Sequence, residues 1–283
     1  MSGELPGDKP MVLYPLTDEE IPNGQSSVAI PAWQAVETKQ KQPADDWWLI
    51  AQPDHAALAG DLAANLSSPH LPPLDKDVIR AIAVHDAGWA QFDGGERGTG
   101  RDLEVVLRDP KLDANGRPLS FLEMTPAEFL SAWTDSIVHA EQTGPIGGVI
   151  VSQHFCRLAE NRLLWRIDNQ QDTHSLQQFL RREAARRERL LEQDPRSPEQ
   201  LRLLTDVLQF CDLLSLYLCC GAKVPIEFPQ KFNGHAIKLT REGEMCYLSP
   251  SIFGAGVSLG VTARHYRRLK PAVDVTVLPF LLS

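Results

Sequence analysis

Between Ser197 and Gly221 the chain reads SPEQLRLLTDVLQFCDLLSLYLCCG. Ser197-Pro198-Glu199-Gln200 is a capping box with proline in the first turn, and Gly221 is a common kind of helix stop. The helix between them is apolar on most sides, so it belongs at the centre of a helical assembly rather than on a surface. Inside it lies Asp212, flanked by Phe210, Cys211, Leu213 and Leu214. A lone buried carboxylate costs several kcal/mol, so buried acids are paired, hydrogen-bonded or metal-bound. The rest of the chain has to supply a partner for Asp212.

Upstream, DWWLIAQPDHAALAGDLAANL holds a helix after Pro53, with Asp54 as its expected cap and Ala56, Leu58, Ala59, Leu62 and Ala63 as its apolar surface. A second helix, announced by PPLDKD, runs through VIRAIAVHD and is ended by Gly88. Residues 90–124, rich in Gly, Asp and Asn, read as a long loop between helices, of a kind that tends to be functional or mobile. Thr125-Pro126-Ala127-Glu128 is a second capping box and opens FLSAWTDSIVHAE. Gly144-Pro145 separates that helix from IGGVIVSQHFCRLAENRLLWRI, and the charged SLQQFLRREAARRERLLEQ follows. Beyond Gly221, PIEFPQ, AIKLTR, MCYLSP, GVSLGV and VDVTVLPF alternate or enrich in β-branched and aromatic residues, as strands do. The predicted organisation is an irregular arm over 1–45 with one or two short strands, a helical domain over 46–221, and a β-rich appendage over 222–283. The fold class expected is mainly α, with a small C-terminal antiparallel sheet.

The formal charge of −9 argues against a general nucleic-acid or anionic-membrane binder. The opening MSGELPGDKP lacks the features of a secretory signal, and no apolar run reaches bilayer-spanning length. The five cysteines form no CxxC pair, and Cys211, Cys219 and Cys220 sit in an apolar helix as small core residues. A cytoplasmic, reduced protein is expected.

Candidates for the partner of Asp212 lie on the upstream helices. His85 and Asp86 sit at a helix end, where the backbone can turn an imidazole and a carboxylate toward one ion. His55 sits one helix earlier. Imidazole suits transition metals, and carboxylates suit divalent ions generally. This order, His55, His85-Asp86, Asp212, resembles the HD-domain superfamily of metal-dependent phosphohydrolases, across about residues 50–220. The stretches WWLIAQPDHAALAG, AIAVHDAGW and VIVSQHFCRL also resemble a bacterial family of uncharacterised proteins. The HD resemblance implies an HD-type helical bundle holding one or two divalent ions (iron, manganese, zinc or nickel) and hydrolysis of a small phosphorylated substrate such as a phosphate ester or nucleotide. Some superfamily members place two further histidines before the last Asp to hold a second ion. His139 and His154 occupy that order here, and His139 can instead pair with Asp135 four residues earlier.

His55, His85, Asp86, His139, His154 and Asp212 are therefore the candidate metal ligands, with His154 and Asp86 as catalytic residues, His154 as general acid or base. A dinuclear iron oxygenase on the same residues is the alternative enzyme, and a non-catalytic metal- or ligand-binding protein the alternative outside enzymes. Trp89 either walls the pocket or belongs to the core, and Asp93 accompanies it. The Arg-rich run RREAARRERLL reads as a solvated helix pairing with Glu183 and Glu188, rather than a phosphate grip. His70, His174, His235 and His265 lie outside the constellation.

Overall fold

In the computed structural model, the described residues are 10–16, 28–69, 71, 73–93, 110–165, 168–254, 256–268 and 274–283. Residues 94–109 of the predicted 90–124 loop, which hold all but the first two residues of its glycine-rich FDGGERGTG, and His70 lie outside them.

Among the described residues eight strands form one sheet: β1 (Val12–Leu16), β2 (Ile30–Pro31), β3 (Asp46–Ile50), β4 (Ile226–Phe232), β5 (His235–Glu242), β6 (Met245–Ser249), β7 (Val257–Arg267) and β8 (Asp274–Leu282). Among the described residues eight α-helices accompany it: α1 (Ala32–Gln40), α2 (Gln52–Ala64), α3 (Lys76–Ala83), α4 (Ala90–Asp93), α5 (Pro126–Glu141), α6 (Pro145–Trp165), α7 (Gln170–Leu191) and α8 (Pro198–Cys219). The strand order is β1-β3-β7-β8-β6-β5-β4-β2. Pairing is antiparallel except at β6–β8 and β2–β4, which are parallel over two residue pairs each.

A mainly α bundle with a small β appendage is therefore not what forms. The described residues are 51% helical, and their sheet is a large mixed half-barrel that draws strands from most of the chain. The five expected C-terminal strands are all present. Three more come from upstream, because β3 pairs with β1 on one side (Leu13 opposite Leu49) and with β7 on the other (Trp48 opposite His265). DWWLI is a short apolar run whose period does not separate strand from helix, and its partner β7 lies far along the chain. The β4–β5 connection is a two-residue Asn233-Gly234 hairpin with positive φ at both positions, the conformation that Asn-Gly supplies.

The apolar α8 is central, as its composition requires. It packs against α1, α2, α3 and α6 and against β1 and β4. Phe210 joins the layers, its ring 4.7 Å from Phe228 and 5.8 Å from Phe232 between centroids. One buried cluster runs from Val12 on β1 through the helices to Leu282 on β8.

Local signals set the helix ends. Thr125 and Ser197 complete their capping boxes. Asp54 is not the cap of α2, which starts two residues earlier with Ala51 at the N-cap. The buried Asp93 carboxylate accepts from the backbone N–H of Gln52 at 2.6 Å and serves that helix end instead. The predicted charged helix docks as α7: Arg182 and Arg186 pair with the buried Glu183, and Arg186 and Arg189 reach Glu141 on α5. Among the described residues, no helix is long and apolar enough to cross a membrane.

Candidate metal centre

Helix α3 stops at Ala83, and the chain turns through Val84, His85 and Asp86 into a 3-10 turn over Ala87–Trp89. Gly88 lies inside that turn rather than at the end of α3. A Cβ there would fall 2.1 Å from the carbonyl oxygen of Ala132 and 2.5 Å from the nitrogen of Ser136, so only glycine lets the turn lie against α5. The Gly88 N–H also donates to Ser136 Oγ at 3.0 Å.

This turn faces the first turn of α2 and the middle of α8. His55, His85, Asp86 and Asp212 each present one ligand atom, all within 4.8 Å of one another. His55 and His85 are fully buried, whereas the Asp86 and Asp212 side chains keep 10% and 16% exposure, which places the way in on the carboxylate side. His55 Nε2 lies 2.7 Å from Asp86 Oδ2, and His85 Nε2 lies 3.4 Å from Asp212 Oδ1. The His85 ring stands edge-on to His55 (5.3 Å between centroids) and to His154 (5.6 Å).

The far side of each ring carries its own partner. His85 Nδ1–H donates to the carbonyl of Ile82 at 2.7 Å. His55 Nδ1 faces Ser215 Oγ at 2.9 Å, and the Ser215 hydroxyl donates to the Asp212 carbonyl at 2.8 Å, so the ring is the donor. Asp86 Oδ1 accepts from the indole N–H of Trp89 at 2.9 Å. Both Nε2 atoms are thus turned toward carboxylate oxygens, and a neutral ring would set a lone pair against an anion. A proton or a metal cation relieves that opposition. Outer partners that hold the inner atoms of His and Asp in this way are what oriented metal ligands require. The donor chemistry fits a divalent ion, and this buried His/Asp group can hold one.

Electrostatics follow the same geometry. Burial disfavours a charged His85, but Asp86 and Asp212 outweigh it and raise the ring to about 9. Burial likewise opposes ionisation of Asp212, while the hydrogen bond and charge of His85 hold it down to about 2.

His154, on α6, comes next to the group without joining its inner set. Its Nε2 lies 3.9 Å from Asp212 Oδ2, and its Nδ1 is buried with no hydrogen-bond partner among the described residues. Burial pushes this ring down to about 4, Asp212 opposes that and the charge of His85 adds to it, so His154 is a neutral imidazole at pH 7. His139 stands apart. It is exposed, and its Nδ1 donates to the backbone carbonyl of Asp135, one turn earlier, at 2.8 Å, rather than to the Asp135 side chain. Trp89 is buried and braces Asp86. His174 and His235 are exposed, and His265 lies on β7 against Trp48, its ring 4.8 Å from the indole.

Ser215 is the residue that sequence reasoning missed. The signal for it was a hydroxyl one turn from the buried acid in an otherwise apolar helix. Arg157 is a second omission: it lies one turn beyond His154 on α6, and its Nη1 bonds Asp206 at 2.6 Å and Gln209 at 2.7 Å on α8.

A family model described as Protein of unknown function (DUF3891) matches residues 40–268, a span that includes every member of the group. No curated protein and no solved structure matches the chain. The resemblance to the HD-domain superfamily is corrected by these findings, since the matching model is a different one and an eight-stranded sheet replaces the expected helical bundle. Four residues in a given helix order are a short pattern, and the strands of the matched span carry none of it.

Proposed function

The chain belongs to the DUF3891 family, and from the group it carries we propose that it is a metal-dependent hydrolase acting on a small anionic ester, a phosphate ester before others. The observation behind this reading is the polarity of the site: two imidazoles whose Nδ1 donors are tied outward and whose Nε2 atoms face two carboxylates. His55, His85, Asp86 and Asp212 would hold the ion. Two nitrogen and two oxygen donors suit manganese, iron, zinc or nickel better than calcium or magnesium. When bound, such an ion supplies Lewis acidity and an acidified water at neutral pH.

The remaining roles fall to the chain's own residues. His154 is neutral and turns its Nε2 toward Asp212 Oδ2 at 3.9 Å, so it can bond a reacting oxygen on that side of the group. Arg157 is partly exposed and, among the described residues, hydrogen-bonds through its Nη1 only, which leaves guanidinium donors for an anion. This is the support for an anionic substrate. A dinuclear oxygenase would draw on His139, which the fold leaves exposed, whereas single-ion hydrolysis uses only residues that are gathered. Five free and buried cysteines accord with the cytoplasmic placement included in this proposal.

The test is the metal content of protein purified without added metal or chelator, compared with His85→Ala/Asp86→Ala, followed by turnover on a panel of phosphate and carboxylate esters. Near-stoichiometric metal lost in the double variant, with ester turnover that Arg157→Gln weakens through KM, is the expected result. Metal binding without turnover on any ester would favour a non-catalytic metal protein. Wild-type protein that takes up no ion, even on reconstitution, would end the metal reading.

A further inference from the structure

Ser215 lies one turn beyond Asp212 on α8 and is fully buried. Its hydroxyl bonds in two opposite senses. It donates to the Asp212 carbonyl at 2.8 Å, a back-bond that helical serines readily make. With that proton committed, Oγ accepts from His55 Nδ1 at 2.9 Å. A hydroxyl has one hydrogen, so the direction of the first bond dictates that of the second, and Nε2 is left as the ring's free ligand atom. His85 reaches the same polarity through the carbonyl of Ile82, which no side-chain substitution removes. Only the His55 half of the site depends on a side chain for its tautomer.

We propose that Ser215 is a positioning residue which fixes the tautomer of His55 and thereby makes the metal affinity of the site depend on α8. The inference rests on reading the His/Asp group as a metal centre. If Ser215 were merely a small packing residue, alanine would replace it without consequence in an otherwise apolar helix. If it sets the tautomer, alanine removes the one acceptor within hydrogen-bond distance of Nδ1 among the described residues, since Asp212 Oδ1 lies 4.0 Å away. The ring is then free to carry its proton on Nε2, facing Asp86, where that proton blocks ligation.

The experiment compares wild-type protein with Ser215→Ala and Ser215→Thr, stripped by chelator and titrated with Zn(II) in a competition assay. It is accompanied by long-range proton–nitrogen NMR spectra of the histidine rings. Ser215→Ala is expected to lose about 10–100-fold in Zn(II) affinity, the usual cost of removing an outer partner of a ligating histidine, and Ser215→Thr to recover most of it. In the zinc-loaded wild type the His55 Nδ1 proton is protected from exchange, and Ser215→Ala loses that protection. Equal affinity in Ser215→Ala with the Nδ1 proton still protected overturns the inference. Should wild type bind no Zn(II), Mn(II) or Fe(II), the metal reading fails by itself. The metal-free spectra then decide Ser215 separately: a Nδ1 proton present in wild type and lost in the alanine variant upholds the tautomer lock, and an unchanged one overturns it.

Discussion

Trp89 and Asp86 are joined by an indole N–H to carboxylate bond of 2.9 Å, three residues apart across a 3-10 turn. The bond occupies Oδ1 and leaves Oδ2 directed at His55, 2.7 Å away. A bulky aromatic beside a carboxylate is here a device for aiming one oxygen.

Trp89→Phe keeps the apolar volume and removes only the donor. Metal affinity is expected to fall about 10–100-fold, as for other outer partners of metal ligands. Isothermal titration of the chelator-stripped protein measures it. An unchanged dissociation constant would show that Asp86 is held by packing alone.

Metal uptake should release a proton. Without metal, His85 is raised to about 9, so it is protonated at pH 7 and must lose a proton to ligate. Its folded value lies above the ordinary value of 6.5, so the proton is held across neutral pH and given up only as pH climbs through about 9. Apparent affinity should therefore rise with pH, about tenfold per unit, from neutrality toward pH 9. Titrations at pH 7 in two buffers of different ionisation enthalpy give the proton count, and a value of zero would refute the assignment.

Gly88→Ala sets a methyl against α5, where a Cβ would meet the Ala132 carbonyl oxygen at 2.1 Å. The turn carrying His85 and Asp86 has to back away, and a loss of about 1–3 kcal/mol in stability, the usual range for overpacking, should come with a loss of metal affinity. Urea unfolding together with metal content checks both. Stability that falls while metal content holds would mean that α5 yields and the turn does not.

Asp93→Ala removes the acceptor that serves the first N–H of α2, one turn before His55. The expected cost is about 0.5–2 kcal/mol, as for a lost helix cap. Asp93→Asn, which keeps an acceptor, should cost less, and chemical denaturation of the two variants separates the contributions.

The helices were legible in sequence wherever a local rule decided them. Thr125 and Ser197 announce α5 and α8. Asp212 betrays the site because a carboxylate between Phe210 and Leu213 needs a partner wherever the helix goes. What escaped was non-local. The pairing of β3 with β1 and β7 depends on segments far apart in the chain, and nothing within DWWLI announces it. α1 has no side-chain cap and follows Pro31, so AWQAVETKQ read as irregular. His139 fitted an order of residues but lies on an exposed face of α5, a fact of helix phase that chain order does not contain. The role of Ser215 required knowing which ring stands opposite it.

The place of β8 bears on how the chain can be dissected. It is the strand between β7 and β6, paired with each, so it alone joins β1-β3-β7 to β6-β5-β4-β2. The matched span of 40–268 ends before it and begins after β1. A fragment trimmed to that span would hold every candidate ligand and yet carry two unjoined half-sheets with bare inner edges, which is a template for aggregation. The boundaries of the family pattern are therefore not those of the folding unit, and the strand farthest from the His/Asp group in sequence is the seam that joins the two halves of the sheet.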